Sequence, residues 1–183
     1  MANCLPDTPA ARILDLGCGT GLELNWYFRR NGAAKVTGID LSQGMLDALR
    51  EKFPEQELTL ICGSYFNVSF GESGFDAAVS VESLHHFTRD EKIPLYAKLC
   101  RALKPGGYFI LTDYFAISNE EEQAFFGELA RLKAEQGITD DTFYHFDTPL
   151  TVEHETDALR AAGFSSVEVL NSWGATYTIK AKK

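Results

Sequence analysis

Apolar runs of strand length alternate along the chain with stretches of helical period, and this alternation predicts an α/β fold with a mainly parallel sheet. Residues 12–16, 35–40, 58–62, 75–81 and 108–113 read as strands. The run 75–81 is apolar enough to be buried on both faces. Between them lie helical segments with recognisable ends. The segment 22–30 closes at Asn31-Gly32. In 43–53, Ser42 supplies a cap, Met45, Leu46, Leu49 and Phe53 fall at helical spacing, and Pro54 stops the run. Thr88-Arg89-Asp90-Glu91 has the capping-box pattern and opens a helix to about residue 103; Ser118-Asn119-Glu120-Glu121 repeats it and opens another to about residue 136. Residues 104–107, Lys-Pro-Gly-Gly, read as a tight turn, and 152–162 as a helix ending at Gly163. Two last strands, 166–170 and 175–181, are joined by only four residues, which makes them antiparallel. No internal repeat or linker interrupts the chain, so 1–183 reads as one domain.

Composition and charge narrow the class. The 183 residues, 45% hydrophobic and 23% charged, match a folded globular domain able to bury its own core. A net charge of −9 argues against broad electrostatic binding to nucleic acid or anionic membranes, both of which need a positive field. No apolar run approaches the ~20 residues of a membrane-spanning helix. Residues 1–8 carry no basic, then apolar, leader pattern. Cys4, Cys18, Cys62 and Cys100 form no CxxC pair, so neither a metal site nor a disulfide framework is expected, and the compartment reads as cytoplasmic.

The chemistry concentrates in Ile13-Leu14-Asp15-Leu16-Gly17-Cys18-Gly19-Thr20-Gly21. A strand carries an acidic residue near its end, a glycine turn follows, and a helix starts directly after. Glycines at alternate positions let the backbone adopt positive φ and approach a ligand closely. The dinucleotide pattern GxGxxG would require glycine at position 22, where this chain has Leu22. GxGxG suits a ligand without a pyrophosphate. Asp40 ends the second strand about 20 residues beyond the glycine loop, where a carboxylate can accept hydrogen bonds from ribose hydroxyls. Asp15 either anchors the loop backbone or reaches a ligand ammonium through water.

Four ordered segments, DLGCGTG, VTGIDLS, FDAAVSVESLHHF and LKPGGYFILTDY, resemble the class I S-adenosylmethionine-dependent methyltransferases of the small-molecule type. The resemblance implies a Rossmann-like, doubly wound seven-stranded sheet, mostly parallel with an antiparallel C-terminal strand pair. It implies that Gly17, Cys18, Gly19 and Gly21 pass beneath the methionine and ribose of the cofactor, and that Asp40 holds the ribose. Leu41 would lie against the adenine. Ser64 and Tyr65 would border the adenine amino group, where relatives usually carry an acidic residue. Val81, Glu82 and His86 would lie beside the methyl donor. In-line methyl displacement asks mainly for a held nucleophile and orientation, with a base only where the acceptor must lose a proton. The base candidates are His85, His86, Tyr114, Tyr144 and His145, with His86 preferred to His85. A cofactor-binding protein without turnover, truncated or dependent on a partner, and an RNA-modifying enzyme remain as alternatives.

Residues 115–163 form an insertion longer than one crossover helix and are expected to cover the acceptor side. Phe125, Phe126, Leu129 and Leu132 make an apolar stripe that reads as core-facing or homodimer-forming. The aromatic segment Thr142-Phe143-Tyr144-His145-Phe146-Asp147 reads as a lid or as a packing loop. Glu120-Glu121-Glu122 reads as a solvated face at a helix N-terminus. Residues 1–11 are too short to supply the helical cover that relatives place there, leaving an open pocket, a partner's cover or a shortened chain.

Overall fold

Residues 2–139 and 144–183 are described by the structure, a computed structural model, with side chains from Asn3 onward. Thr142 and Phe143 of the aromatic segment lie outside the described residues. Seven strands form one sheet: β1 (Arg12–Leu16), β2 (Lys35–Asp40), β3 (Glu57–Cys62), β4 (Phe75–Val81), β5 (Leu103–Tyr114), β6 (Ser166–Trp173) and β7 (Thr176–Lys182). Their order is β3-β2-β1-β4-β5-β7-β6. β1 to β5 are parallel, while β7 runs antiparallel to both β5 and β6. This is the doubly wound sheet expected, with its antiparallel end. The order reverses between β1 and β4, and in such sheets ligands bind outside the carboxyl ends of the strands at that switch point.

Among the described residues, five α-helices, α1 (Leu24–Arg30), α2 (Gln43–Lys52), α3 (Arg89–Ala102), α4 (Asn119–Glu135) and α5 (Val152–Ala161), and a short 3-10 turn at Ala2–Cys4 complete the fold. One core layer packs Leu24, Tyr27 and Phe28 of α1 and Leu46 and Leu49 of α2 on one face of the sheet. The other packs Leu95, Tyr96 and Leu99 of α3 and Ala158 and Leu159 of α5 on the opposite face. Between them β4 is sealed, with Ala77, Ala78, Val79 and Ser80 fully buried. The cap at Ser42 forms, its hydroxyl accepting from Met45 N, and the Thr88–Glu91 box closes in both directions.

The structure departs from the sequence reading in four places. Residues 104–107 do not separate from the following strand but continue β5 through an irregularity opposite Phe75–Ala77. Gly107 permits this, because a Cβ there would meet the carbonyl oxygens of Lys104 at 2.9 Å and Asp76 at 3.1 Å. The last connection shortens to Gly174-Ala175, since β6 runs on to Trp173 and pairs it with Thr176. With φ of 59° at Gly174 and a negative φ at Ala175, this follows the two-residue hairpin pattern with glycine first. The third departure is α4, which has no buried residue. Its stripe therefore does not face the sheet core; Phe125 meets the edge of Tyr114 at the carboxyl end of β5, with ring centroids 6.3 Å apart. The fourth is the acidic run. Glu121 accepts from Ile117 N at 2.6 Å, and Glu122 accepts from Thr151 N at 2.6 Å and faces His154 Nδ1 at 2.8 Å. Only Glu120 behaves as a solvated charge, because the other two carboxylates tie α4 to the chain before it and to α5.

A candidate cofactor and acceptor site

The glycine loop between β1 and α1 places its three glycines at positive φ for different reasons. Gly17, Gly19 and Gly21 have φ of 71°, 48° and 63°. A Cβ on Gly17 would lie 2.1 Å from Ser83 Oγ, and one on Gly21 would lie 2.4 Å from Leu49 Cδ1. A Cβ on Gly19 would meet nothing within 4 Å. Two glycines thus let the loop seat against the protein, and the third keeps its outer surface bare. Cys18 turns inward, with Sγ seated in the notch left by Gly38 of β2, and burial pushes its thiol far above the ordinary range. A ligand meets Cys18 through its backbone alone.

Asp40 is tied to this loop. One carboxylate oxygen accepts from Gly19 N at 2.9 Å and the other from Ser42 N at 2.8 Å. Each oxygen keeps a further lone pair, and the residue is half-exposed, so ribose hydroxyls can still bind there. Asp15, beneath the loop, is 1% exposed, and its Oδ2 has no partner within the protein. Glu23 Oε1 is likewise buried without one. Burial, reinforced by the Glu23 carboxyl beside it, holds the Asp15 pKa well above the usual carboxylate range. An acidic pair, Asp15 buried and Glu23 half-buried, with an unpaired buried oxygen on each, beside a bare glycine fits a ligand carrying an ammonium group.

The remaining cofactor-side residues fall around this loop unequally. Leu41 is 66% exposed, and the exposed Cys62 thiol, at the end of β3, donates to its carbonyl at 3.5 Å. Ser64 and Leu41 line a common cavity. Tyr65 instead points inward, its hydroxyl donating to Ser83 O at 3.0 Å, and supports the loop from below. Val81 is half-buried in β4. Glu82 follows it, exposed, at φ 48°, with its N–H donated to Thr112 O at 2.9 Å.

The cavity, of about 750 Å³, runs from Leu41 and Ser64 past His86 to Leu129, Lys133, Tyr144 and Thr148. Its far wall therefore comes from α4 and from residues 144–148 within the insertion. Thr148 N donates to His85 O at 2.8 Å, pinning that segment to the loop after β4. Tyr144 OH accepts from Gln136 Nε2 at 2.6 Å.

His85 and His86 separate in role. Asp113, buried at the end of β5, accepts from Leu84 N and Tyr114 N, each at 2.9 Å, and meets His85 Nδ1 at 2.5 Å. Burial alone would lower the His85 pKa, but the Asp113 carboxylate outweighs it and raises the pKa above the usual imidazole value. His86 lines the cavity, and burial together with the neighbouring His85 lowers its pKa. Asp147 Oδ1 lies 3.4 Å from His85 Nε2 and 3.2 Å from His86 Nδ1. Sequence reasoning missed Asp113, Asp147 and Ser83. The one signal available was an acidic residue closing the apolar run of β5, the same signature that marks Asp40 on β2.

Comparison with known proteins matches residues 13–107 to the methyltransferase domain family. The chain belongs to that family. The cofactor of the domain is S-adenosylmethionine. A fatty-acid O-methyltransferase of Mycolicibacterium smegmatis is 32% identical over 107 residues, covering 58% of this chain and 38% of that protein. A Mus musculus protein named for tRNA methylation is 30% identical over 104 residues, covering 56% of this chain and 22% of that protein. The methyltransferase domain thus spans well under half the length of these relatives. An S-adenosylmethionine-dependent methyltransferase from Mesorhizobium loti shares the fold with TM-score 0.72 and 21% identity, covering 99% of this chain and 94% of that one.

Proposed function

We propose that the chain transfers the methyl group of S-adenosylmethionine to a small-molecule acceptor bound in the cavity between the Asp40 loop and residues 115–163. The observation that carries this reading is the continuity of that cavity from Leu41 and Ser64 to His86, Leu129 and Tyr144. When bound, the cofactor supplies an electrophilic sulfonium methyl. The chain's own residues then hold and desolvate the acceptor and align it, the contribution that orientation makes to such a displacement. Leu129 and Phe87 give the cavity apolar wall, while Tyr144 and Thr148 offer polar contacts.

His86 is the preferred base for an acceptor that must lose a proton: it faces the cavity, and its lowered pKa keeps it neutral near pH 7. His85 is engaged by Asp113 and serves its neighbour's position. Residues 115–163 act as the acceptor-side cover within a single domain. Against an RNA acceptor stands the cavity rim, where Lys133 is offset by Glu91, together with the net charge of −9. Support for a homodimer shifts from α4 to the β6 edge, where Val169, Leu170 and Trp173 are exposed. Four free thiols suit the cytoplasm. Among the described residues no helix is long and apolar enough to cross a membrane.

Calorimetry with S-adenosylhomocysteine, followed by labelled-methyl transfer to a panel of fatty acids, sterols, phenols and tRNA, tests the reading. Saturable binding with a labelled small-molecule product is expected. No binding to folded protein overturns the cofactor site; binding without any product supports the alternative of a cofactor-binding protein lacking turnover.

A further inference from the structure

We propose that His85, His86 and Asp147 form a binding site for a divalent transition-metal ion at the edge of the acceptor cavity. One ring nitrogen from each of His85 and His86 and an Asp147 carboxylate oxygen all lie within 4.8 Å of one another. Two ligand atoms held ~2.0–2.1 Å from a tetrahedral zinc ion lie about 3.4 Å apart. Asp147 Oδ1 already stands at 3.4 Å from the His85 nitrogen and 3.2 Å from the His86 nitrogen. Asp147 Oδ1 thus stands at the spacing of a coordination shell from both imidazole nitrogens before any ion enters.

The surrounding groups favour the same use. Metal-bound imidazoles usually donate their second ring N–H to a carboxylate, which fixes the tautomer and the ring plane. Asp113 stands in that place for His85, contacting Nδ1 at 2.5 Å while two backbone N–H groups hold the carboxylate still. Nε2 is then left with its lone pair toward Asp147. The ligands come from two segments, but Thr148 N bonded to His85 O at 2.8 Å joins those segments independently of any ion. His86 Nδ1 also contacts Phe146 O at 3.3 Å, a long hydrogen bond that metal binding would replace.

Two imidazoles and one carboxylate suit zinc or ferrous iron and leave a coordination position open. Because His86 lines the cavity, that position would face an acceptor oxygen, and with an ion bound His86 would serve as its ligand in place of acting as base; this role rests on the methyl-transfer reading, the binding of the ion does not.

Zn²⁺ calorimetry and Co²⁺ absorption on the intact, chelator-treated chain test the site. We expect one equivalent bound, with cobalt ligand-field bands and no thiolate charge-transfer band, which separates this site from Cys62 and Cys4. Asp147→Ala and His86→Ala should each abolish that step, and Asp113→Asn should weaken it about 10- to 100-fold. Circular dichroism and S-adenosylhomocysteine binding, measured on the same samples, show whether each variant is folded and whether the cofactor half is intact. Absence of one-equivalent binding by the folded chain overturns the proposal. So does unchanged affinity in Asp147→Ala and His86→Ala, or a thiolate band.

Discussion

The two halves of the site are built on opposite plans. On the proposed cofactor side, a nine-residue stretch supplies the bare backbone of Gly19 and the buried Asp15, and one further strand adds Asp40. On the proposed acceptor side, the cavity wall gathers His86 from the loop after β4 and, from the insertion, Leu129 of α4 and Tyr144 beyond it. The first plan uses backbone conformation, which sequence dictates locally. The second uses side chains far apart in the chain, whose meeting depends on how long connections are pinned.

Two carboxylates at strand ends make the contrast measurable. Asp113→Ala should have the largest effect on stability, because it leaves His85 and two N–H groups without their shared acceptor in a buried place. A loss of about 3 kcal/mol is expected in urea unfolding, within the range for breaking a buried pair. Asp40→Ala should act chiefly on the ligand, weakening S-adenosylhomocysteine by about 1.5–3 kcal/mol, or roughly 10- to 150-fold, in calorimetry. If both variants lost stability alike and bound alike, the distinction between the halves would collapse.

Gly19→Ala sharpens the same contrast within the loop. Nothing in the protein opposes its Cβ, so only the left-handed backbone costs stability, about 1–2 kcal/mol, while ligand affinity should fall sharply. Gly17→Ala should lower the melting temperature further, since its Cβ meets Ser83. The acceptor side carries a pH signature. His85 has a raised folded pKa, so its stabilising pair with Asp113 is complete below about pH 6.5 and is lost as pH rises through the folded value. His86 shifts the opposite way, so melting curves from pH 6 to about pH 9 in a His86→Ala background isolate the decline. Asp113→Asn should remove it. The smallest effect is expected at Glu82, which holds a left-handed φ of 48°: Glu82→Gly should gain about 1 kcal/mol by relieving that backbone.

The strands and most helix boundaries were legible because each carries its own punctuation. Ser42 and Thr88 cap helices locally, and β4 announces its central place by an unbroken apolar run. The glycine loop was legible for the same reason. Residues 104–107 misled because their turn chemistry is real but is absorbed into β5 by a close approach of Asp76 that lies far away in sequence. The core-facing alternative for the α4 stripe failed in a similar way. Helical period shows that Phe125 and Leu129 share a face, but not whether that face meets a sheet or a cavity. His85 and Asp147 are 62 positions apart, and contacts such as the Thr148–His85 and His86–Phe146 hydrogen bonds, invisible to local pattern, bring their segments together.

The four cysteines carry a practical consequence. Cys18 lies buried under the glycine loop with its thiol held protonated, whereas Cys62 is open at the rim and bonded to the carbonyl of Leu41. An alkylating probe should therefore discriminate between two thiols on either side of the same ligand position. Labelling at Cys62 becomes a clock for occupancy of the adenine end: slowed by a seated cofactor and indifferent to whatever fills the acceptor cavity.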